Sequence, residues 1–404
     1  MNNTRPLNIV KICARHHPLD GRVFHLEAAT LRDAGHHVTI IAPNPGNLRD
    51  KQTIDGIDIL TFNKSGNRLT RKLNTLRSLF RLAISINADV YHAHEVDAAL
   101  IAGALAKRHH IRRGRWAKLV FDVHEVWPYF YAAATNSSFL RRIIVHGILE
   151  YENWMLARHV DLVIAAHVLE TNYYRWQNPF ISVRHVQTTM KVPDTCPTHS
   201  GDVKVIGHEG FFTLNRGMDV ILQAFELVAR DYPDVILQTA GDFYSDKDRK
   251  WFGQWAERTG LGDRVKLTGW LDRPDLTPLL KKMDIGIVAQ REDDHTSRTW
   301  PLNKLMNYAG YGVASVVCAS MPYAKQEVEE RGMGRVINLN AQDLYQALCD
   351  MIESPEKTRE MGVRAWEFAH REWNWERYRV ELLRAYEDLM EPTYRPRKTV
   401  KLQG

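Results

Sequence analysis

The sequence predicts an α/β protein built from two doubly wound domains, and three observations carry that prediction. Short apolar runs alternate with segments of helical periodicity through most of the 404 residues. The alternation lapses once, across Gln187–Asp202, where Pro193, Pro197, Ser200 and Gly201 stand among several threonines, and then it restarts. A chain of this length also exceeds what one hydrophobic core usually supports. The expected layout is a first domain over residues 1–188, a linker over 189–202, a second domain over 203–372 and a closing helix over 373–390. The basic, proline-containing segment 391–404 is expected to be disordered.

The elements follow in order. Leu7–Cys13 reads as a strand, Ala14–Gly21 as a polar loop, and Phe24, Ala28 and Leu31 as one face of a helix that Gly35 ends before a strand at Val38–Ala42. This is the first unit of a doubly wound sheet, and it lacks the GxGxxG pattern of a dinucleotide site. Leu69, Leu73, Leu76, Phe80 and Ala83 form one apolar helical face, edged by Arg68, Lys72, Arg77 and Arg81. It reads as a surface helix with solvated basic edges. A basic amphipathic helix is also suited to an anionic membrane, in a patch that Arg112, Arg113, Arg115, Arg141 and Arg142 would extend.

Strands at Asp89–Tyr91 and Lys118–Asp122 each run into a polar cluster. The first cluster holds His92, His94 and Glu95, and the second holds His124 and Glu125. An open parallel sheet places its chemistry just past its strand ends. Metal ligation from His92, His94, His124 and Glu125 lacks any further ligand spacing, so no metal is expected. A long helix at Phe139–Arg158, a strand at Asp161–Ala165, a short helix and a strand at Ile181–His185 complete the first half.

The second half has strands near Val203–Gly207, Val235–Ala240, Val265–Thr268, Ile285–Ala289 and Val313–Cys318, and helices at Ala341–Ile352, Pro355–Arg371 and Trp373–Met390. Two helix starts stand out. Pro301 fits the first turn of a helix that ends at Gly310 and Gly312, and the loop Gln290–Trp300 before it is a candidate floor for a phosphate-bearing ligand. Arg216 precedes Gly217 at another helix start, where a cation opposes the helix dipole unless an anion is bound.

A net charge of +6 and a pI near 9.0 call for an anionic partner: nucleic acid, an anionic membrane or a phosphorylated small molecule. No apolar run approaches the ~20 residues needed to span a bilayer. The polar start, Met1–Pro6, shows no secretory signal. Cys13, Cys196, Cys318 and Cys349 lie far apart, as expected of reduced cysteines in a cytosolic protein.

Several blocks together resemble the family 4 retaining glycosyltransferases. They are His17-Pro-Leu-Asp20-Gly-Arg22-Val-Phe-His-Leu-Glu27-Ala, Gly35-His36, Asp89-Val-Tyr-His-Ala-His94 and Phe121-Asp-Val-His124-Glu125. In the second half they are Arg216-Gly217, Ala240-Gly241-Asp242, Gly269, Pro301 to Gly312 and Trp373-Asn-Trp375-Glu376. The resemblance implies the GT-B fold, two facing Rossmann-like domains with a cleft between them, and a closing helix that crosses back to the first domain. It implies that Arg216 and Lys304 bind the diphosphate of a nucleotide-sugar donor, and that His124 stabilises the sugar in the transition state. Gly217, Gly241, Asp242, Leu271, Thr299 and Asn307 would complete the donor site. Asp20, Arg22, His94, Glu95 and Glu125 would line the acceptor side or the cleft. Neither metal nor cofactor is implied, and the acceptor would be a glycan or lipid-linked glycan in polysaccharide biosynthesis, handled at the cytoplasmic face of a membrane.

The chain departs from the family at Asn307 and Thr299, where glutamates are usual, and at Phe211, where a basic residue is common. An amide bonds a ribose hydroxyl without charge assistance. A non-catalytic GT-B protein acting as a binding or partner subunit is therefore a rival expectation, and a nucleotide-sugar epimerase or phosphorylase on the same fold is another. Nucleic-acid binding accounts for the charge but for none of the ordered blocks.

Overall fold

A computed structural model describes residues 5–67, 70–95, 97–124, 139–178, 181–197, 201–271, 273–291 and 303–391. The chain forms two compact units. One contains the chain up to Thr188 together with the segment from Tyr378, and the other is Thr189–Arg377.

The first unit is an eight-stranded sheet. Its strands are β1 (Asn8–Cys13), β2 (His37–Pro43), β3 (Lys51–Ile54), β4 (Ile57–Phe62), β5 (Val90–His94), β6 (Lys118–Val123), β7 (Leu162–Ala165) and β8 (Ser182–His185). They lie in the order β3-β4-β2-β1-β5-β6-β7-β8, parallel throughout except that β3 runs against β4. The β3–β4 turn carries Asp55 and Gly56, both with positive φ, at 48° and 73°. That is the backbone a tight hairpin needs, and Asp-Gly supplies it. β1, β5 and β6 are buried almost end to end, as expected of a parallel sheet covered on both faces. In the helix Arg71–Ser85, Leu79 and Ala83 are fully buried, and Leu76 and Phe80 pack against the same core. Its apolar face is therefore turned inward except at Leu73, which is exposed like Arg71, Lys72, Arg77 and Arg81.

The second unit holds β9 (Val205–Glu209), β10 (Ile236–Ala240), β11 (Val265–Leu267), β12 (Ile285–Val288), β13 (Ala314–Cys318) and β14 (Gly334–Ile337). All are parallel, in the order β11-β10-β9-β12-β13-β14. The order reverses between β9 and β12, so the carboxyl end of β9 lies at the switch point where open sheets take ligands. Part of the expected linker is packed into this unit. Met190 and Val192 are buried, and Met190 bridges to Asn374 beside the buried Trp373 and Trp375. The four cysteines are free thiols, three of them buried.

Candidate functional site

In the second unit, three loops knit together at the carboxyl ends of β9, β10 and β11. The Gly210 N–H donates to Ala240 O at 2.8 Å, the Phe212 N–H donates to Asp242 O at 2.9 Å, and Gly241 bridges to Gly269. Gly241 has φ +155°, and a Cβ placed on it would stand 2.1 Å from Gly210 O. Only glycine allows this approach. The segment after Gly210 is fixed from two sides. Asp248 accepts from Thr213 Oγ1 at 3.1 Å and from the Leu214 N–H at 3.0 Å, while Arg291 Nε donates to Leu214 O at 3.0 Å and its Nη2 pairs with Asp219 at 2.6 Å.

This preorganised turn ends in Arg216. Gly217, with φ 74°, then opens the helix Met218–Asp231, whose start has no side-chain cap; the Met218 N–H donates back to Thr213 O at 3.1 Å. Arg216 is half-buried, and among the described residues it has no carboxylate partner. Its guanidinium lies over the Phe211 ring, 5.9 Å from the centroid. Lys304, buried in the first turn of the helix Asn303–Gly310, acts on the same spot. Burial, then Lys304 and Arg216, hold the His208 imidazole well below its usual pKa, so it is neutral. Among the described residues, neither ring nitrogen of His208 has a hydrogen-bond partner. Three aromatic rings stand on the same loops: Phe211 meets Tyr244 at 5.3 Å and Trp270 at 5.6 Å between centroids. Tyr244 is 70% exposed and Trp270 66%, an unusual outlay of apolar surface to water.

In the first unit, the polar residues form a buried charge network. A π-helical turn, Gly21–Ala28, is capped by Asp20, whose carboxylate accepts from the Arg22 and Val23 N–H groups at 2.8 and 3.0 Å. Wider winding puts residues five apart on one face, so Arg22 Nη2 reaches Glu27 at 2.9 Å. The same guanidinium grips Asp122 through both oxygens, at 2.8 and 3.1 Å, and donates to Val186 O at 2.7 Å. Lys11 Nζ meets Glu27 at 2.5 Å. Burial disfavours the Asp122 charge, but Arg22 and then His124 outweigh it and keep the carboxyl well below its ordinary range. His94, which burial and then Lys11 keep neutral, lies with its Nδ1 3.1 Å from Asp122 Oδ2 and 3.0 Å from His124 Nε2. The His16 ring lies tilted against that of His124, 4.5 Å between centroids. Burial opposes its charge, yet Asp20 at 3.6 Å and Glu95 at 3.9 Å push it up to about 10. Glu95 itself adopts φ 71°, a strained value outside glycine.

Among the described residues two groupings have metal-compatible spacing, with ligand atoms mutually within 4.8 Å: Glu27, His92, His94 and Asp122, and His16, Glu95 and His124. The first already holds the Lys11 and Arg22 cations against both of its carboxylates.

Residues 21–188 match the sequence profile of the glycosyl transferase 4-like domain, and residues 203–354 match that of glycosyl transferases group 1. The chain belongs to the GT4-like group 1 glycosyltransferases. Its architecture is GT-B. Solved structures with the same fold include sucrose-phosphate synthase from Thermosynechococcus elongatus, at 16% identity, 95% of this chain, 99% of that chain and a TM-score of 0.70. Anabaena HepE, solved with UDP-glucose, aligns at 17% identity over 94% of this chain and 99% of its own, with a TM-score of 0.67. A UDP-forming α,α-trehalose-phosphate synthase from Burkholderia vietnamiensis aligns at 13% identity over 96% and 99%, with a TM-score of 0.64. No curated protein matches the sequence.

Of the glycosyltransferase residues singled out in the sequence, Arg216, Gly217, Gly241, Lys304 and Asn307 fall on the second unit's strand-end loops and the two helix starts beside them. Asp242 stands next to them but ion-pairs with Arg249 at 2.9 Å, and Leu271 packs against the hydrophobic core. Asp20, His94, Glu95 and His124 form one cluster in the first unit. Arg22 belongs to it from beneath, only 3% exposed, with its guanidinium satisfied inside the protein. Glu125, Thr299 and Pro301 lie outside the described residues. His208, Glu209, Tyr244 and Trp270 carry no local sequence signal that marks them as functional, and β9 runs on past its apolar part through the polar His208 and Glu209.

Proposed function

We propose that this glycosyltransferase moves a sugar from a nucleoside-diphosphate sugar to a glycan or lipid-linked acceptor, with retention at the anomeric carbon and without a metal ion. One observation carries the reading: Arg216, with no carboxylate partner among the described residues, stands at an uncapped helix start, and it and Lys304 both bear on His208. A cation there opposes the helix dipole, and a diphosphate reverses the sign of that interaction. As the sugar–phosphate bond breaks, charge grows on the leaving diphosphate, and both cations together with the helix N–H groups stabilise it more than the ground state. Phe211, Tyr244 and Trp270 offer ring faces for the base.

In the first unit, the His94–Asp122 pair orients His124 through Nε2, leaving Nδ1 for a hydroxyl of the transferred sugar. The acceptor reading rests on the family alone. The exposed basic edge at Arg71, Lys72, Arg77 and Arg81, with Arg112, Arg113 and Arg115, supports a cytoplasmic anionic membrane surface as the place of work. Since the apolar face of that helix is buried, such attraction is electrostatic and weakens with salt. Flotation with anionic vesicles that does not exceed flotation with neutral ones removes it.

The first test is thermal stabilisation by a panel of nucleoside diphosphates and their sugars. A ligand at 100 times its dissociation constant adds about 2.7 kcal/mol, or roughly 5–10 °C for a domain of this size. Arg216→Ala is expected to lose the shift. If no nucleotide shifts the wild type, donor binding is absent and a non-catalytic partner role takes its place. Sugar interconversion without transfer, or product only with free phosphate as acceptor, replaces transfer by epimerisation or phosphorolysis. Product anomer by NMR tests retention, and activity surviving EDTA tests metal independence.

A further inference from the structure

The glutamate ending β9 is held without its full complement of partners. Asn307 Nδ2 donates to Glu209 Oε1 at 2.7 Å, and the Glu209 N–H donates to Tyr308 Oη at 2.8 Å, so backbone and carboxylate are both pinned. Tyr308 is fully buried, which makes that anchor rigid. The second oxygen, Oε2, is shut off from solvent and has no hydrogen-bond partner among the described residues. A covered carboxylate oxygen without a donor is costly, and burial duly pushes the Glu209 carboxyl up, against Asn307, Lys304 and Arg273, which favour its charge. The group sits at the switch point of the sheet, one residue past His208, on which Arg216 and Lys304 both bear.

We infer that Glu209, aligned by Asn307, is the carboxylate that accepts a hydroxyl of the donor, and so sets which donors this enzyme takes. The inference rests on the donor-site reading above. Asn307 alone offers an uncharged contact. The Asn307–Glu209 pair offers a charged one, with the negative charge on β9 rather than on the helix Asn303–Gly310. The hydroxyl belongs either to the ribose or to the transferred sugar.

Binding of UDP, GDP, ADP and CDP, of their 2′-deoxy and 3′-deoxy counterparts and of UDP-glucose, to wild type, Glu209→Gln, Asn307→Glu and the double swap, separates these. If the ribose is held, the preferred ribonucleotide binds Glu209→Gln about tenfold more weakly, and discrimination against one of its deoxy counterparts closes. If the transferred sugar is held, Glu209→Gln binds the nucleoside diphosphate as wild type does but loses about tenfold for the nucleotide sugar. Asn307→Glu alone sets a second carboxylate against the first and also binds weakly, while the swap, with one amide and one carboxylate again, recovers most of the loss. Equal binding by wild type and Glu209→Gln for every ligand overturns the inference and leaves the donor site standing. So does a loss of the same size for ribo- and deoxynucleotides that the swap does not repair, which is a structural effect only. If no nucleotide or nucleotide sugar binds the wild type, the donor reading fails and the inference fails with it.

Discussion

Replacing Asp122 by asparagine tests the charge network under His124. The buried set holds two cations, Lys11 and Arg22, and two anions, Glu27 and Asp122, with side chains at most 2% exposed. Asparagine keeps the shape but leaves one cation uncompensated. It also replaces Oδ2, which accepts from Arg22 Nε at 3.1 Å, by an N–H₂ group that faces that donor. Breaking a buried ion pair from one side costs about 3–5 kcal/mol. For a domain of roughly 150–250 residues that lowers the melting temperature by about 6–20 °C. Calorimetry with a separate activity assay gives both numbers. A second variant, Lys11→Met with Asp122→Asn, removes the surplus cation, and it is expected to regain at least about 1 kcal/mol of the loss. If Asp122→Asn costs less than about 1 kcal/mol, the value of an exposed pair, or if the two substitutions simply add, the neutral-cluster argument is wrong.

Gly241→Ala drives a methyl into Gly210 O and forces a backbone that only glycine adopts, so it is expected to cost about 1–3 kcal/mol or more and to abolish nucleotide-induced stabilisation; wild-type melting and binding would refute the close approach. Trp270→Ala removes a ring that is 66% exposed, so the ligand-free melting temperature should hold while nucleotide affinity falls about tenfold; unchanged affinity in a titration removes the ring from the base site. Arg216→Ala loses a cation–π contact of about 0.5–1 kcal/mol and relieves a dipole conflict of about 0.3–1 kcal/mol. Its ligand-free stability should therefore move by less than about 1 kcal/mol, and a larger drop in urea melts would mean that Arg216 is structural. His94 and His208 are buried neutral, with folded pKa values below the unfolded 6.5. Their contribution is complete above pH 6.5 and is lost as pH falls, each by up to about 1.4 kcal/mol per pH unit. A melting temperature flat from pH 7 to 5 would contradict that, as would alkaline stability independent of His16, whose raised pKa loses its contribution as pH climbs toward about 10.

The sheet strands were legible because parallel strands covered on both faces are nearly continuous apolar runs, as in Ile285–Val288 and Ala314–Cys318. Two strands lack a continuous apolar run: Lys51–Ile54 is the exposed edge strand, Ile57–Phe62 beside it is broken by Asp58 and Thr61, and Asp55-Gly56 is the available cue to their hairpin. β14, four residues with one buried, had almost no apolar signal to read. The π turn at Gly21–Ala28 was read as ordinary helix, since apolar spacing does not distinguish the winding, whereas the Arg22–Glu27 separation of five would have hinted at it. The aromatic trio had no local pattern at all, because three consecutive strands of the fold, not the sequence, bring Phe211, Tyr244 and Trp270 together.

Charge is handled differently in the two units, and the difference argues for where an anion belongs. In the first, Arg22 and Lys11 meet carboxylates at 2.5–2.9 Å, with no water to screen the pairs, so a phosphate there would have to displace a resident anion. In the second, Arg216 rests on a ring face, Lys304 lies buried in a first turn, both bear on a histidine driven neutral, and the Glu209 Oε2 beside it has no donor among the described residues. That arrangement is costly when empty. It becomes favourable when one molecule brings a diphosphate for the cations and a hydroxyl for the glutamate. Stability given up in a free site is regained only in the complex, as expected of a site shaped for binding rather than for folding.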